Sequence, residues 1–218
     1  MCLVVEIQYF PPVDVFKSLV KEQHIKIEQY EHFQKMSFRN RCIILGANGL
    51  APLTVPIDGG REQKTLIRDV KIDNSQSWQR SHLRSLVSAY NKAPFIHYYI
   101  SEIEALLTSN EKFLFDLNLR IFTFLIRSLN ITVVIQFTSE FNSIYLDDRD
   151  MRNKILPKNF QKDKENWKPR YFQVFEDRWG FQPNLSILDL LFCEGPNAAN
   201  LITSAFKETD VRDSKLNG

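Results

Sequence analysis

Short apolar runs alternate with abrupt polar breaks along the chain. Leu3 to Tyr9 is apolar and β-branched and is closed by Pro11 and Pro12, which predicts a first strand that cannot run on. Val13 to Lys21 places Val15, Phe16, Leu19 and Val20 on one helical face. His24 to Glu28 then alternates into a second strand. A strand, a helix and a strand in such quick succession predict a parallel crossover.

Arg41 to Leu45 and Ala51 to Ile57 are apolar runs separated by GANGL, and Asn48-Gly49 is a strong hairpin signal. After a polar loop at 58–65, Leu66 to Ile72 alternates as a further strand. Three helices are expected next: Trp78 to Tyr90 capped by Ser77 or Ser75, one opened by Pro94 and running to Leu107, and Glu111 to Leu129 capped by Ser109 or Asn110. The β-branched run Ile131 to Phe137 should return to the sheet as a central strand. Asn142 to Arg170 is rich in Asp, Lys, Arg and Asn and reads as a polar excursion or lid. Leu185 to Phe192 and Pro196 to Phe206 read as two closing helices. The predicted fold class is α/β: a mixed sheet with a parallel strand-helix-strand start, a β-hairpin and a central three-helix block. It forms one domain over residues 1–206, followed by a flexible tail at 207–218.

Composition narrows the function classes. The 218 residues, 44% hydrophobic and 25% charged, suffice for one sizeable core, and 17 Phe against 7 Gly point to aromatic packing. A net charge of +2 with a pI near 8.4 is too mild for a phosphate-backbone binder, so nucleic acid is not an expected partner. Cys2, Cys42 and Cys193 are odd in number and widely spaced, which argues against a disulfide framework or structural zinc and for a reducing compartment. The opening MCLVVEIQYFPP lacks the basic start of a secretory signal. No apolar run reaches the roughly 18 residues of a membrane span. A cytoplasmic, soluble protein without a metal site is the expectation.

Glu28 to Arg41, EQYEHFQKMSFRNR, concentrates acids, cations, rings and a histidine where a parallel strand leaves its carboxyl end, the place where open α/β sheets bind ligands. Arg39 and Arg41, on an extended chain, would share one side about 7 Å apart and grip phosphate or carboxylate, with Asn40 between them. The competing reading pairs these arginines with Glu28 or Glu31 and buries Tyr30, Phe33 and Phe38. His32 is a candidate for acid or base work beside Glu28 or Glu31. His24 and His97 read as structural.

A second cluster runs from Trp78 to Phe95. Trp78 and His82 are helical neighbours, so His82 could edge a pocket as a second proton carrier, while Arg80 and Arg84 read as a solvated face. Tyr90 and Lys92, with Pro94, mark a helix junction that could contact substrate. Gln8 and Tyr9 end the first strand just before a helix N-terminus, where an anion is favoured. Walker, dinucleotide and GxSxG motifs are missing, and no cofactor is implied. The expected site therefore joins catalytic His82 and His32 with substrate-binding Gln8, Tyr9, Arg39, Asn40, Arg41, Tyr90 and Lys92. Arg39→Ala is expected to abolish anion binding and leave the fold intact.

These stretches also carry a resemblance. QYFPP at Gln8, SFRNRC at Ser37, LTVPI at Leu53, DVKID at Asp69, WQRSHLRSLVSAYNKAPF at Trp78, DLN at Asp116 and LSILDLLF at Leu185 resemble, in that order, the WbqC-like protein family of bacteria. The resemblance covers most of Val4 to Phe192. It implies cytoplasmic synthesis of O-antigen or capsule precursors, by an acyl- or aminoacyl-type transfer to a nucleotide-activated sugar. The alternative is a non-catalytic binding or scaffold protein of polysaccharide assembly, with 142–170 as its docking arm. Family members commonly carry Gln-Pro-Tyr-Phe and a glycine after the next proline; here Tyr9 follows Gln8 directly and Asp14 stands near the glycine's place.

Overall fold

The computed structural model describes residues 2–59, 64–162 and 164–204. The chain opens with β1 (Leu3–Glu6), α1 (Val13–Leu19) and β2 (His24–Glu28), followed by the hairpin β3 (Arg41–Gly46) and β4 (Gly49–Thr54). Helices α2 (Trp78–Tyr90), α3 (Ile96–Leu107) and α4 (Leu114–Ser128) follow, then β5 (Val134–Phe137), β6 (Arg149–Asp150), α5 (Glu176–Trp179) and α6 (Ile187–Glu194). The tail expected at 207–218 lies outside the described residues, as does the end of the second closing helix, which is helical over 198–204.

The predicted mixed α/β architecture is what forms. Four strands lie in the order β5-β2-β1-β6, all parallel, and β3-β4 make a separate antiparallel sheet. All four residues of β1 are buried, as a central parallel strand covered on both faces requires. The chain leaves β1 toward β2 on one side and returns later as β6 on the other. That reversal makes a topological switch point between β1 and β6, where the space between Glu6, Gln8, Met151 and Ile155 is almost filled, at about 10 Å³. Around the hairpin turn, Gly49 adopts φ +98°, which glycine reaches without a Cβ clash.

Two local expectations change. The run Ile131 to Phe137 pairs only over Val134–Phe137, and it lies at the sheet edge with Val134 51% and Phe137 46% exposed. Its β-branched residues report a fit to a pleated surface, which an edge satisfies as well as a centre. Leu66 to Ile72 is not a strand: Ile67–Asp69 form a 3-10 turn, and Leu66 and Ile72 make isolated bridges to His32 and Ile57. The apolar side chains of this segment still point inward, Ile67, Val70 and Ile72 being buried.

The C-terminal part locks the start of the chain. Ile187 N–H donates to the Pro11 carbonyl at 2.8 Å, Ser186 N–H to Ile43 at 2.9 Å, and Val13 N–H to Leu185 at 3.1 Å. Helix α6 is thus wedged between the β1–α1 turn and the hairpin, and it is buried from Ile187 to Cys193. Residues 142–170 are tied to the core at several of their described residues. β6 joins the sheet within them, and buried Trp167 donates to Asp14 Oδ1 at 2.8 Å.

Candidate functional site

Parallel register brings two glutamates together at the carboxyl edge, because Glu6 of β1 stands opposite Glu28 of β2. Both are buried, and like charges so placed need partners. One Glu28 oxygen accepts from Tyr30 N–H at 2.8 Å and Thr138 Oγ1 at 2.9 Å, the other from Arg152 Nη1 at 2.9 Å. Arg152 comes from the polar excursion and also forks onto Asp150 at 3.0 and 2.8 Å. Its guanidinium lies 5.2 Å from the Phe141 ring and 4.8 Å from the Tyr145 ring. Glu6 has hydrogen bonds but no ion-pair partner of its own among the described residues: Gln8 Nε2 donates to it at 2.8 Å and Asn153 N–H at 3.0 Å.

Three residues beyond β2, Glu31 meets Arg39 in a two-pronged pair, with Nε to Oε1 at 2.7 Å and Nη2 to Oε2 at 2.6 Å. Arg39 has no exposed surface. Its Nη2 also donates to Asn153 Oδ1 at 3.0 Å, and its Nη1 reaches Gln34 Oε1 only at 3.4 Å. Burial pushes the Glu31 carboxyl above its usual value, against the pull of Arg39 and with a push from Glu6 and Glu28. For Arg39, burial works against the charge, but the Glu31 bonds outweigh it and hold the guanidinium above its ordinary value.

This pair forms the floor of a cleft of about 400 Å³. Gln34 and Asn153 supply amides at its sides, Tyr30, Phe33 and Phe141 supply rings, and His32 stands exposed at the rim. Asn153 holds φ +59°, a left-handed conformation that asparagine tolerates. The arrangement offers hydrogen-bond acceptors, donors and flat apolar walls within one volume, which is the make-up of a small-molecule site.

The nine residues expected to form the site separate into distinct environments. Arg39 and His32 line the cleft, and Gln8 is joined to it through Glu6 and Asn153. Arg39 sits in a turn and Arg41 opens β3, so the extended alternation that would have aimed both at one anion does not form. Arg41 is half-buried, contacts Met36 Sδ at 3.7 Å through Nη1, and is pulled below its ordinary pKa by burial. Asn40 serves the hairpin base, donating to the Val55 carbonyl at 2.9 Å. Lys92 is exposed in the turn after α2.

Tyr9 and His82 form a buried pair away from the cleft floor, with the phenol oxygen 2.8 Å from Nδ1. Trp78 packs on the imidazole edge-to-face at 5.2 Å. Burial pulls the His82 pKa down to about 4, against a hydrogen bond to the Thr54 backbone. His82 is therefore neutral at physiological pH and held between a phenol and a strand. Tyr90 belongs to a third environment, donating to Asp189 Oδ1 at 2.9 Å while Tyr171 and Gln173 donate to Oδ2 at 2.8 and 2.9 Å. Burial pushes Asp189 up to about 6.

The residues that complete the cleft and its support were not singled out from sequence: Glu6, Thr138, Phe141, Arg152 and Asn153. A signal for the first existed, since two apolar strands in a row end in Glu and parallel register sets such ends side by side. Arg152 and Asn153 carry no such mark, because they lie in a segment whose polarity is uniform. Among the described residues no group of three or more His, Cys, Asp or Glu could hold a metal ion, and no helix is long and apolar enough to cross a membrane.

The WbqC-like protein family matches residues 7–158, more than half of the chain and the span from just after β1 to the cleft's Asn153 and beyond. No curated protein and no solved structure matches it. The chain belongs to the WbqC-like protein family.

Proposed function

Because the chain is a WbqC-like protein, we propose that it acts in the cytoplasm in bacterial surface polysaccharide biosynthesis, for O-antigen or capsule, on a small-molecule substrate bound over the Glu31–Arg39 pair. The reaction proposed is acyl- or aminoacyl-type transfer to a nucleotide-activated sugar. The observation that carries the reading is the cleft itself: a roughly 400 Å³ volume at the carboxyl edge of a parallel sheet, with a buried ion pair beneath aromatic walls. In such a transfer the sugar's amine or hydroxyl loses a proton as it bonds the acyl carbon and the acyl carrier leaves. In this reading His32 at the rim takes that proton, Gln34 and Asn153 orient the substrate, and Arg39 holds Glu31 in place beneath it.

A panel of nucleotide sugars, acyl-coenzyme A and amino acids with ATP tests the site by thermal shift, since a ligand that binds only the native state raises Tm by mass action. A rise with a panel member that disappears in Tyr30→Ala supports the reading. No rise with any member removes its basis. A second reading, binding without turnover, is favoured by the enclosure of His82, which leaves the cleft with a single histidine. Under it His32→Ala retains both ligand binding and the cellular role, whereas the transferase reading expects binding without turnover.

A further inference from the structure

The cleft's charge arrangement argues against the simplest use of an arginine in a nucleotide-sugar site, the gripping of phosphate. Arg39 is already neutralised by a two-pronged bond to Glu31 in a volume from which it has no exposed surface. Arg152, the other guanidinium of this edge, is spent on Glu28 and Asp150. Among the described residues four carboxylates, Glu6, Glu28, Glu31 and Asp150, thus face the two guanidiniums and Lys154, which acts on Asp150, so one negative charge is left over. A phosphate placed on the floor would add negative charge beside that surplus in a medium that screens poorly. Arg41, the second cation an anion would need, has its guanidinium against Met36. Arg68 lies over the Tyr30 ring at 4.6 Å but is about two-fifths exposed and stands 3.8 Å from Asp69, so it serves the mouth.

What the cleft does offer is balanced: Glu31 oxygens accept, and the amides of Gln34 and Asn153 donate and accept. Hydroxyls and acetamido groups are also donors and acceptors at once. Tyr30, Phe33 and Phe141 supply flat walls for the C–H face of a ring. We infer that the cleft holds the uncharged sugar ring of its ligand, and that any phosphate lies outside it toward the mouth. This rests on the reading of the cleft as the substrate site and assigns which part of the substrate occupies it.

Saturation-transfer NMR on the full chain tests it with three sets of probes: unphosphorylated hexoses and N-acetylhexosamines, a nucleoside diphosphate without sugar, and intact nucleotide sugars. The sugars should bind with affinity unchanged between about 0.05 and 0.5 M salt, since a neutral ligand has no ion pair to screen. Phe141→Ala should weaken them about tenfold through loss of a ring wall. The nucleoside diphosphate alone should give no Phe141-dependent signal. If it binds, salt-sensitively and dependent on Phe141, while the sugars do not, the inference is overturned and the cleft reading stands. If sugars, diphosphate and intact nucleotide sugars all fail to bind, the cleft reading falls and the inference with it.

Discussion

The Glu31–Arg39 cleft and the two enclosed clusters beneath α2 and α6 are made of the same residue types, and they do opposite things with them. In the cleft, Tyr30, His32 and Gln34 stand around a buried acid and base with open volume above. In the enclosed clusters, Tyr9 meets His82, and Tyr90 and Tyr171 meet Asp189, with every ring buried. Each enclosed polar group has its partners in place, which fixes helix positions. Side-chain chemistry alone does not mark a site; access does. His82 and Tyr90 have suitable chemistry without access, whereas Phe141, a residue with no reactive group, has access.

Breaking the cleft's ion pair should produce the largest change. Arg39→Ala leaves Glu31 buried beside Glu6 and Glu28 and should cost about 3–5 kcal/mol of stability by urea denaturation. The substitution therefore reports on folding before it reports on ligand. A loss below about 1 kcal/mol would mean the pair is not sealed as described.

The enclosed clusters should show themselves through pH. His82, lowered to about 4 from 6.5, contributes stability that is present above pH 6.5 and lost as pH falls toward 4, about 3 kcal/mol in all. Asp189, raised to about 6, works oppositely: its native site favours the protonated form, so stability falls as pH rises from about 4 to 6, again by about 3 kcal/mol. Between pH 4 and 6 the two slopes offset each other in the wild type. Asp189→Asn should expose the His82 slope, with stability dropping by about 2–3 kcal/mol from pH 6.5 to 4 relative to wild type. An unchanged profile in that variant would show that the carboxyl is not held as the hydrogen bonds imply.

Smaller effects should separate the regions further. Tyr9→Phe removes the donor to His82 Nδ1 and should cost about 1–2 kcal/mol while leaving ligand affinity in the cleft unchanged. Phe141→Ala should do the reverse: at 53% exposure its loss costs within about 0.5 kcal/mol of stability, yet ligand affinity falls. If Tyr9→Phe weakened ligand as much as Phe141→Ala, the separation of the two regions would be wrong.

Much of the fold was legible because its signals are local. Asn48-Gly49 turns the hairpin, and apolar periodicity lays out α2, α3 and α4 within a few residues of their ends, whereas β1 ends at Glu6, short of the prolines expected to close it. The strand placement of Val134–Phe137 was not legible, because a β-branched run looks the same at an edge and at a centre. The site was legible in part. The Glu28 to Arg41 segment stood out by composition, and the pairing of Arg39 with Glu31 was one of two readings open from sequence. Helical spacing correctly made Trp78 and His82 neighbours but could not say that the imidazole would face Tyr9, a residue of the bend after β1, 73 positions earlier.

What the sequence determined by itself is where the chain turns, which stretches bury one face and where polar chemistry is dense, since these follow from backbone dihedrals and from periods of two and 3.6 residues. Which dense stretch became a cleft was decided by tertiary structure. Parallel register set Glu6 beside Glu28, the late return of β6 brought Arg152 and Asn153 onto that edge, and Arg39 was neutralised by an acid eight residues away. Long-range pairing decides charge compensation and access to solvent, and neither is a property of any one segment.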